Sequence, residues 1–371
     1  MLKNRATAEG TLGYARRYAE LPGNFRPMLG DLSVSSVGIG TYLGEADEET
    51  DQAYAQSIRA ALLGGINLID TAVNYRFQRG ERTIGKVLGE LVAAGEVRRE
   101  EVVVATKGGY VTFDGTMPPD PRAWFTEKFV NSGLVGPGEL VEGSHCMTPR
   151  YLGAMLEMSR ANLGLDTIDI YYIHNPETQL ASLERPEFFE RMRRAFEFLE
   201  QQVAEGKIGV YGAATWSGFR LGPEERQYLQ MEELVKIAFE IAGREHHFRA
   251  IQLPFNLAMP EALTLANQQL PDRRGTALRA AVGFGIAVCA SASLLQGRLA
   301  HGLPPIMAQA FEGLTTDAQR ALQFVRSAPG INVALVGTKS EAHVNEILQA
   351  LHNPPASIEA FSKLFTQNKS A

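Results

Sequence analysis

Short, almost wholly apolar runs alternate along this chain with longer stretches in which apolar positions recur every three or four residues. The runs are Val37–Gly40, Asn67–Asp70, Val102–Lys107, Asp169–Ile173, Gly209–Ala213, Ala250–Pro254, Gly285–Ala290 and Val333–Val336. Runs this short and this uniformly apolar predict strands covered on both faces. The stretches between them predict amphipathic helices, among them Asp51–Leu63 and Arg194–Glu200. Strands of this kind joined by helical crossovers pair in parallel. Eight such units in succession favour a closed α/β structure, a (β/α)8 TIM barrel, over an open doubly wound sheet. No G-x-G-x-x-G opens a helix after an early strand, and Gly38-Ile39-Gly40 with Gly44 has the wrong spacing for one.

Before the barrel pattern, Met28–Val34 alternates around Gly30-Asp31 and predicts a short N-terminal hairpin. Residues 1–24 read as an extension, partly helical through Tyr14–Tyr18. Residues 25–352 read as the barrel and 353–371 as a C-terminal tail. Two connections are longer than a barrel needs: Gly108–Met147, with Pro118, Pro119, Pro121 and Pro137, and Asn175–Pro186. Long loops at the C-terminal face of such a barrel usually shape a substrate pocket.

Composition narrows the class. With 371 residues, 45% of them apolar and 21% charged, the chain can build an ordinary globular core. A net charge of −6 gives no electrostatic footprint for nucleic acid. Of the basic clusters, Arg16-Arg17 is short, and Arg191–Arg194 is offset by Glu187 and Glu190. No apolar run approaches the ~18 residues of a membrane span. Met1–Gly23 lacks the apolar centre of a secretory leader, and Glu9 and Glu20 argue against a transit segment. Cys146 and Cys289 cannot make a disulfide framework and suit a reducing compartment. The expectation is a cytoplasmic protein with no nucleic-acid or membrane partner, and no pattern here assigns an oligomeric state. No metal is expected: His246-His247 has no H-x-H or H-E-x-x-H context and reads as surface. No G-x-S-x-G elbow appears.

The chemistry lies at the strand ends. Asp70 closes the second barrel run and Tyr75 follows five positions later; Lys107 closes the third run, and His174 follows the fourth. Any one of these has a structural explanation as a cap, an ion pair or a core residue. A barrel, however, gathers its strand ends around one mouth, so all four at the same edge point to an acid/base site. A tyrosine with a reference pKa near ~10 is a reluctant acid, and a neighbouring ammonium should lower that value. Asp70 would keep the lysine charged, and His174 would hydrogen-bond a substrate oxygen. This set suits proton delivery to a carbonyl oxygen while hydride attacks its carbon. No side chain supplies hydride, so a hydride cofactor is required.

These residues resemble the aldo-keto reductases. Asp70-Thr71-Ala72-Val73-Asn74-Tyr75, Thr106-Lys107 and His174 match the family's segments, as do Val37–Thr41 and Glu81–Leu88, and the likeness runs from about Phe25 to about Leu351. The resemblance implies that Tyr75 is the general acid, that Lys107 tunes it, that Asp70 pairs with Lys107 and that His174 orients the substrate. It implies NADPH, with NADH possible, lying across the barrel mouth against Gly40, Thr41 and Asp70. Gln252 and Thr215 stand where relatives hold the nicotinamide amide. The segment with Leu294, Gln296, Gly297 and Arg298 resembles the pyrophosphate wrap. Gly337, Thr338, Lys339, Ser340, His343 and Glu346 resemble the adenosine end, where Lys339 and Ser340 suit a 2′-phosphate. The aromatic that relatives place under the nicotinamide has no counterpart among Cys289, Ala290 and Ser291. Tyr42, Tyr110 and Trp216 are the expected substrate walls. The activity implied is reduction of an aldehyde or ketone, or oxidation of an alcohol or aldose. A second reading is a cofactor-binding, redox-sensing regulatory subunit with little turnover.

Overall fold

The apolar runs close on one another. In a computed structural model, which describes residues 1–270 and 273–366, eight parallel strands form a closed barrel. Two strands precede it, β1 (Phe25–Met28) and β2 (Leu32–Ser35). The barrel comprises β3 (Val37–Gly40), β4 (Leu68–Asp70), β5 (Val103–Gly108), β6 (Ile168–His174), β7 (Ile208–Ala214), β8 (Phe248–Pro254), β9 (Ala287–Ser291) and β10 (Val333–Gly337). Neighbours in sequence are neighbours in space, and β10 returns to β3 with Gly337 opposite Gly40. The predicted fold class is therefore the observed one.

Strand ends differ from expectation by at most two residues, and the shift at β9 has a local cause. Gly285 there has φ +66 and, with Ile286, closes the preceding helix through Ile286 N–H to the Ala281 carbonyl, so the strand starts at Ala287. The helix expected from Asp51 starts at Glu48, because Asp47 caps it by accepting from the Thr50 amide and Glu48, Glu49 and Asp51 complement its first turn. The helix around Arg194–Glu200 extends over Arg185–Ala204, with Pro186 in its first turn.

Inside the barrel, Leu68, Val103, Ala105, Ile170, Tyr172, Ala250, Cys289, Val333 and Leu335 fill the interior. Met28 and Val34 of the β1–β2 hairpin and Ala6 of the extension join that cluster. The helix in the extension spans Ala8–Arg16, earlier than expected, because Thr7 caps it through the Gly10 amide. The extension is tied to the N-terminal side of the barrel strands: Leu2 pairs with Leu165, the Ala6 amide donates to Asp169, and the Tyr14 hydroxyl donates to the Leu62 carbonyl. The last described residues form a helix at Ile358–Thr366 whose Phe361 packs on Phe324. Residues 367–371 of the expected tail lie outside the described residues.

The His246-His247 pair is surface only at His247, whose side chain is 40% exposed. It lies in the turn entering β8, where His246 is buried and His247 pairs with Glu200 at 2.8 Å. Both cysteines are buried and unpaired. Among the described residues, no helix is long and apolar enough to cross a membrane, and no group of three His, Cys, Asp or Glu is placed to hold a metal ion.

Candidate active site

The barrel brings the four strand-end groups together. Asp70 is the last residue of β4, Lys107 the penultimate residue of β5 and His174 the last of β6. Tyr75 is delivered by the turn after β4. There the Thr71 amide donates to the Ala105 carbonyl, the Tyr75 amide donates to the Ala72 carbonyl, and the Gly80 amide donates back to the Tyr75 carbonyl. The next three residues, Arg76, Phe77 and Gln78, all take left-handed backbone conformations, with φ of 49°, 55° and 74°. Each such residue costs roughly 1–2 kcal/mol, so the turn needs external support. Arg76 donates to Asp51 at 2.7 Å and lies over the Tyr54 ring, while Gln78 donates to the Phe113 carbonyl at 2.8 Å. The sequence contains no glycine here to signal the turn.

Lys107 is fully buried. Its ammonium donates to Asp70 Oδ2 at 2.7 Å, to the Thr71 carbonyl at 2.7 Å and to the Tyr75 hydroxyl at 3.4 Å. Three donors thus meet three acceptors. Burial disfavours the charged lysine, but Asp70 and Tyr75 outweigh it and hold its pKa above the ordinary value. The other Asp70 oxygen accepts from Gln252 Nε2 at 2.7 Å, so the carboxylate is held on both sides.

Tyr75 behaves differently from the expectation that a neighbouring lysine lowers its pKa. Burial pushes the phenol above its ordinary value, and Lys107 only partly opposes this. The hydroxyl therefore stays protonated at neutral pH, the state a proton donor needs. His174 has its ring 5.8 Å from that of Tyr75, centroid to centroid. Burial, with the positive Lys107 and the nearby His145, holds the imidazole well below its usual pKa and hence neutral. Its Nδ1 is buried without a hydrogen-bond partner. A buried orphan acceptor is better tolerated than an orphan N–H, which puts the proton on Nε2.

Around this group Tyr42 packs edge-on to Tyr75 and Tyr110 edge-on to His174, each with centroids 5.0 Å apart. Tyr42 is 56% and Trp216 48% exposed, so neither is a core residue. The Trp216 loop is held by Glu177, whose Oε1 accepts from the amides of Trp216 and Ser217 at 2.7 and 2.9 Å. Thr215, the residue after β7, is buried with its hydroxyl unpartnered.

The remaining predicted residues lie at neighbouring strand ends, in the loops after them and, for His343 and Glu346, in the helix Glu341–Leu351. Thr41 follows β3 and donates to the Thr71 hydroxyl at 2.8 Å. Gly40 and Gly337 face each other across β3 and β10, where a Cβ on Gly40 would lie 3.8 Å from the other glycine's backbone. Leu294, Gln296, Gly297 and Arg298 follow β9 in a turn with Ala292, Leu295 and Gln296 left-handed, and Gln296, Gly297 and Arg298 are exposed. Lys339 is exposed, beside Gly44 in the loop after β3. Ser340 caps the helix Glu341–Leu351 by accepting from the His343 amide, and His343 Nδ1 lies 3.4 Å from the Thr338 hydroxyl. Glu346 contributes its carbonyl to Gln319. Sequence reasoning missed Glu177 and His145, buried polar residues in the two long loops. The only sequence signal for them was their place in the long loops that follow β5 and β6.

A parallel eight-stranded barrel with a buried lysine–carboxylate pair, a protonated phenol and a neutral imidazole at its mouth defines a protein equipped for proton transfer to a substrate oxygen. Its sequence matches the aldo/keto reductase family over residues 36–221, half of the chain, and the chain belongs to that family. It is 30% identical over 212 residues to an NADH-specific methylglyoxal reductase from Escherichia coli, covering 55% of this chain and 54% of the relative. It is 28% identical over 201 residues to a 6-dehydroglucose reductase from Novosphingobium aromaticivorans, covering 53% of each. The match thus spans about half the length of these relatives. Among solved structures, it aligns over 92% of its length with 94% of an aldo/keto reductase from Klebsiella pneumoniae in complex with NADP and acetate (TM-score 0.61, 22% identity). A glycerol dehydrogenase from Gluconobacter oxydans aligns over 94% of this chain and 97% of its own, with TM-score 0.63 and 20% identity.

Proposed function

We propose that this chain is a cytoplasmic NAD(P)H-dependent oxidoreductase that interconverts an aldehyde or ketone with its alcohol, with residues 25–352 as the catalytic unit. The observation that carries the reading is the Lys107 ammonium bridging Asp70 and the Tyr75 hydroxyl at the barrel mouth, beside a neutral His174. In reduction, Tyr75 gives its proton to the carbonyl oxygen, and Lys107 stabilises the phenolate left behind. His174 holds that oxygen through its remaining N–H. Asp70 keeps Lys107 charged, and Tyr42, Tyr110 and Trp216 form aromatic walls for the substrate.

The residues present fit a nicotinamide cofactor. Thr215 has a buried hydroxyl without a partner, the Gly40–Gly337 floor lacks side chains, and Arg298 and Lys339 are exposed cations for phosphates. Thr215 and Gln252 would hold the carboxamide, Leu294 to Arg298 the pyrophosphate, and Gly337 to Glu346 the adenosine end. The cofactor, when bound, supplies the hydride that the side chains lack. NADPH is favoured by Lys339 and Ser340, while the NADH-specific relative makes NADH an alternative. Nothing in the site favours a regulatory subunit over an enzyme. The test is a panel of aldehydes, ketones and aldoses with NADPH and NADH in parallel. Carbonyl-dependent loss of reduced cofactor that Tyr75→Phe abolishes is expected; no turnover of any carbonyl overturns the reading.

A further inference from the structure

The excursion between β5 and β6, residues 109–147, is more than a wall of the pocket. Its two ends are zipped together: the Val111 amide donates to the Ser144 carbonyl and the Cys146 amide to the Gly109 carbonyl, both at 2.8 Å. This closure places the fully buried His145 directly behind the strand end that carries His174. His145 Nε2 lies 2.7 Å from the His174 carbonyl oxygen. Its Nδ1 lies 2.9 Å from Gln179 Nε2. The Gln179 amide has one possible orientation, because its Oε1 accepts from Arg191 at 2.7 Å and its Nε2 also reaches the His145 carbonyl at 3.1 Å. Gln179 therefore donates to Nδ1, and the single proton of a neutral His145 sits on Nε2, donated to the His174 carbonyl. Burial keeps that ring neutral, with its pKa brought down to about 4.

Two further contacts lock the same unit. The Tyr110 ring stands edge-on between the two imidazoles, 5.0 Å from each. Its hydroxyl meets Thr178 at 3.0 Å and accepts from Asn175 at 3.2 Å, in the left-handed turn just after His174. The backbone leaves little slack, since a Cβ on Gly109 would stand 2.9 Å from both His145 Nε2 and the His174 oxygen.

We propose that His145 is a positioning residue for carbonyl reduction. Its hydrogen bond to the His174 backbone, set by Gln179 and Arg191, holds the His174 imidazole at its working distance from the Tyr75 hydroxyl. His145 itself touches no substrate. This inference rests on the reductase reading for its kinetic readout but not for its spectroscopic one.

The test compares two variants of the full chain. His145→Gln can place an amide N–H near the position of Nε2, whereas His145→Phe fills the space without a donor. His145→Phe should lower kcat at least about tenfold, as a displaced hydrogen-bonding group does, with KM for NADPH within twofold. His145→Gln should restore kcat to within threefold of wild type. Independently, with ring-labelled histidine, the His174 signal (identified by its loss in His174→Asn) should be single and sharp in wild type and His145→Gln. It should be broadened or split in His145→Phe. Should His145→Phe fail to fold, Gln179→Met tests the same chain and should broaden the His174 signal. Wild-type kcat in His145→Phe, equal losses in both His145 variants, or a His174 signal unchanged by His145→Phe or Gln179→Met overturns the proposal. A wild-type chain that reduces no carbonyl, but whose His174 signal responds as described, overturns the reductase reading alone.

Discussion

Replacing Asp70 by asparagine tests the electrostatic centre of the site. In the native chain the buried Lys107 ammonium has one charged partner, Asp70 at 2.7 Å, and two neutral ones, the Thr71 carbonyl and the Tyr75 hydroxyl. Asp70→Asn preserves the shape and can keep the contact to Gln252, but it leaves a cation in the barrel without a counter-charge. Breaking a buried pair from one side costs about 3–5 kcal/mol. At ~2.1 cal/mol/K per residue, 371 residues give an unfolding entropy of about 0.8 kcal/mol/K, so the loss appears as a Tm lower by about 4–6 °C. Lys107 can escape part of that cost by releasing its proton, since burial already favours the neutral amine. Tyr75 then has no cation to stabilise its phenolate, and kcat for reduction should fall by about 100-fold or more. The double variant Asp70→Asn/Lys107→Met carries no buried charge. It should recover at least about 2 kcal/mol relative to the sum of the single losses while staying inactive. Differential scanning calorimetry and initial rates on all four proteins complete the cycle. Asp70→Asn with wild-type Tm and kcat, or single losses that simply add, would show that Asp70 does not hold the Lys107 charge.

The raised pKa of Tyr75, caused first by burial and opposed by Lys107, sets the pH profile. The phenol stays protonated up to its folded value, so kcat for reduction should be flat from pH 6 to about 9.5. The reverse oxidation needs the phenolate and should climb about tenfold per pH unit over the same range; an alkaline loss of reduction centred below pH 9 contradicts this. At the adenosine end, Lys339→Ala should raise KM for NADPH about tenfold, the worth of one charge-assisted contact. KM for NADH should not change, and an equal change for both cofactors would remove Lys339 from the 2′-phosphate.

The barrel was legible because strands covered on both faces leave uniformly apolar runs, and no other pattern in the chain competes with them. The four strand-end groups were legible for a related reason: a barrel leaves its chemistry at one edge. What escaped was whatever depends on burial or on backbone shape without a sequence mark. The left-handed turn at Arg76–Gln78 contains no glycine and exists because Asp51, Tyr54 and Phe113 support it. The sign of the Tyr75 shift follows from desolvation, which residue order does not express, whereas the charge of Lys107 can be read directly. His145 and Glu177 lie in loops without periodicity, and only folding makes them buried partners of the site. His246 read as surface because no metal-ligand spacing accompanies it, but the turn into β8 buries it.

The most direct measurement is the single-turnover rate of NADPH oxidation in Tyr75→Phe, at saturating cofactor and carbonyl, alongside the dissociation constant for NADPH. The phenol is the only proton donor assigned to the substrate oxygen, and general-acid catalysis contributes about 10²–10⁴-fold. The rate should fall at least about 100-fold below wild type, with NADPH affinity within twofold. A single-turnover rate within threefold of wild type would contradict the role of Tyr75 as proton donor.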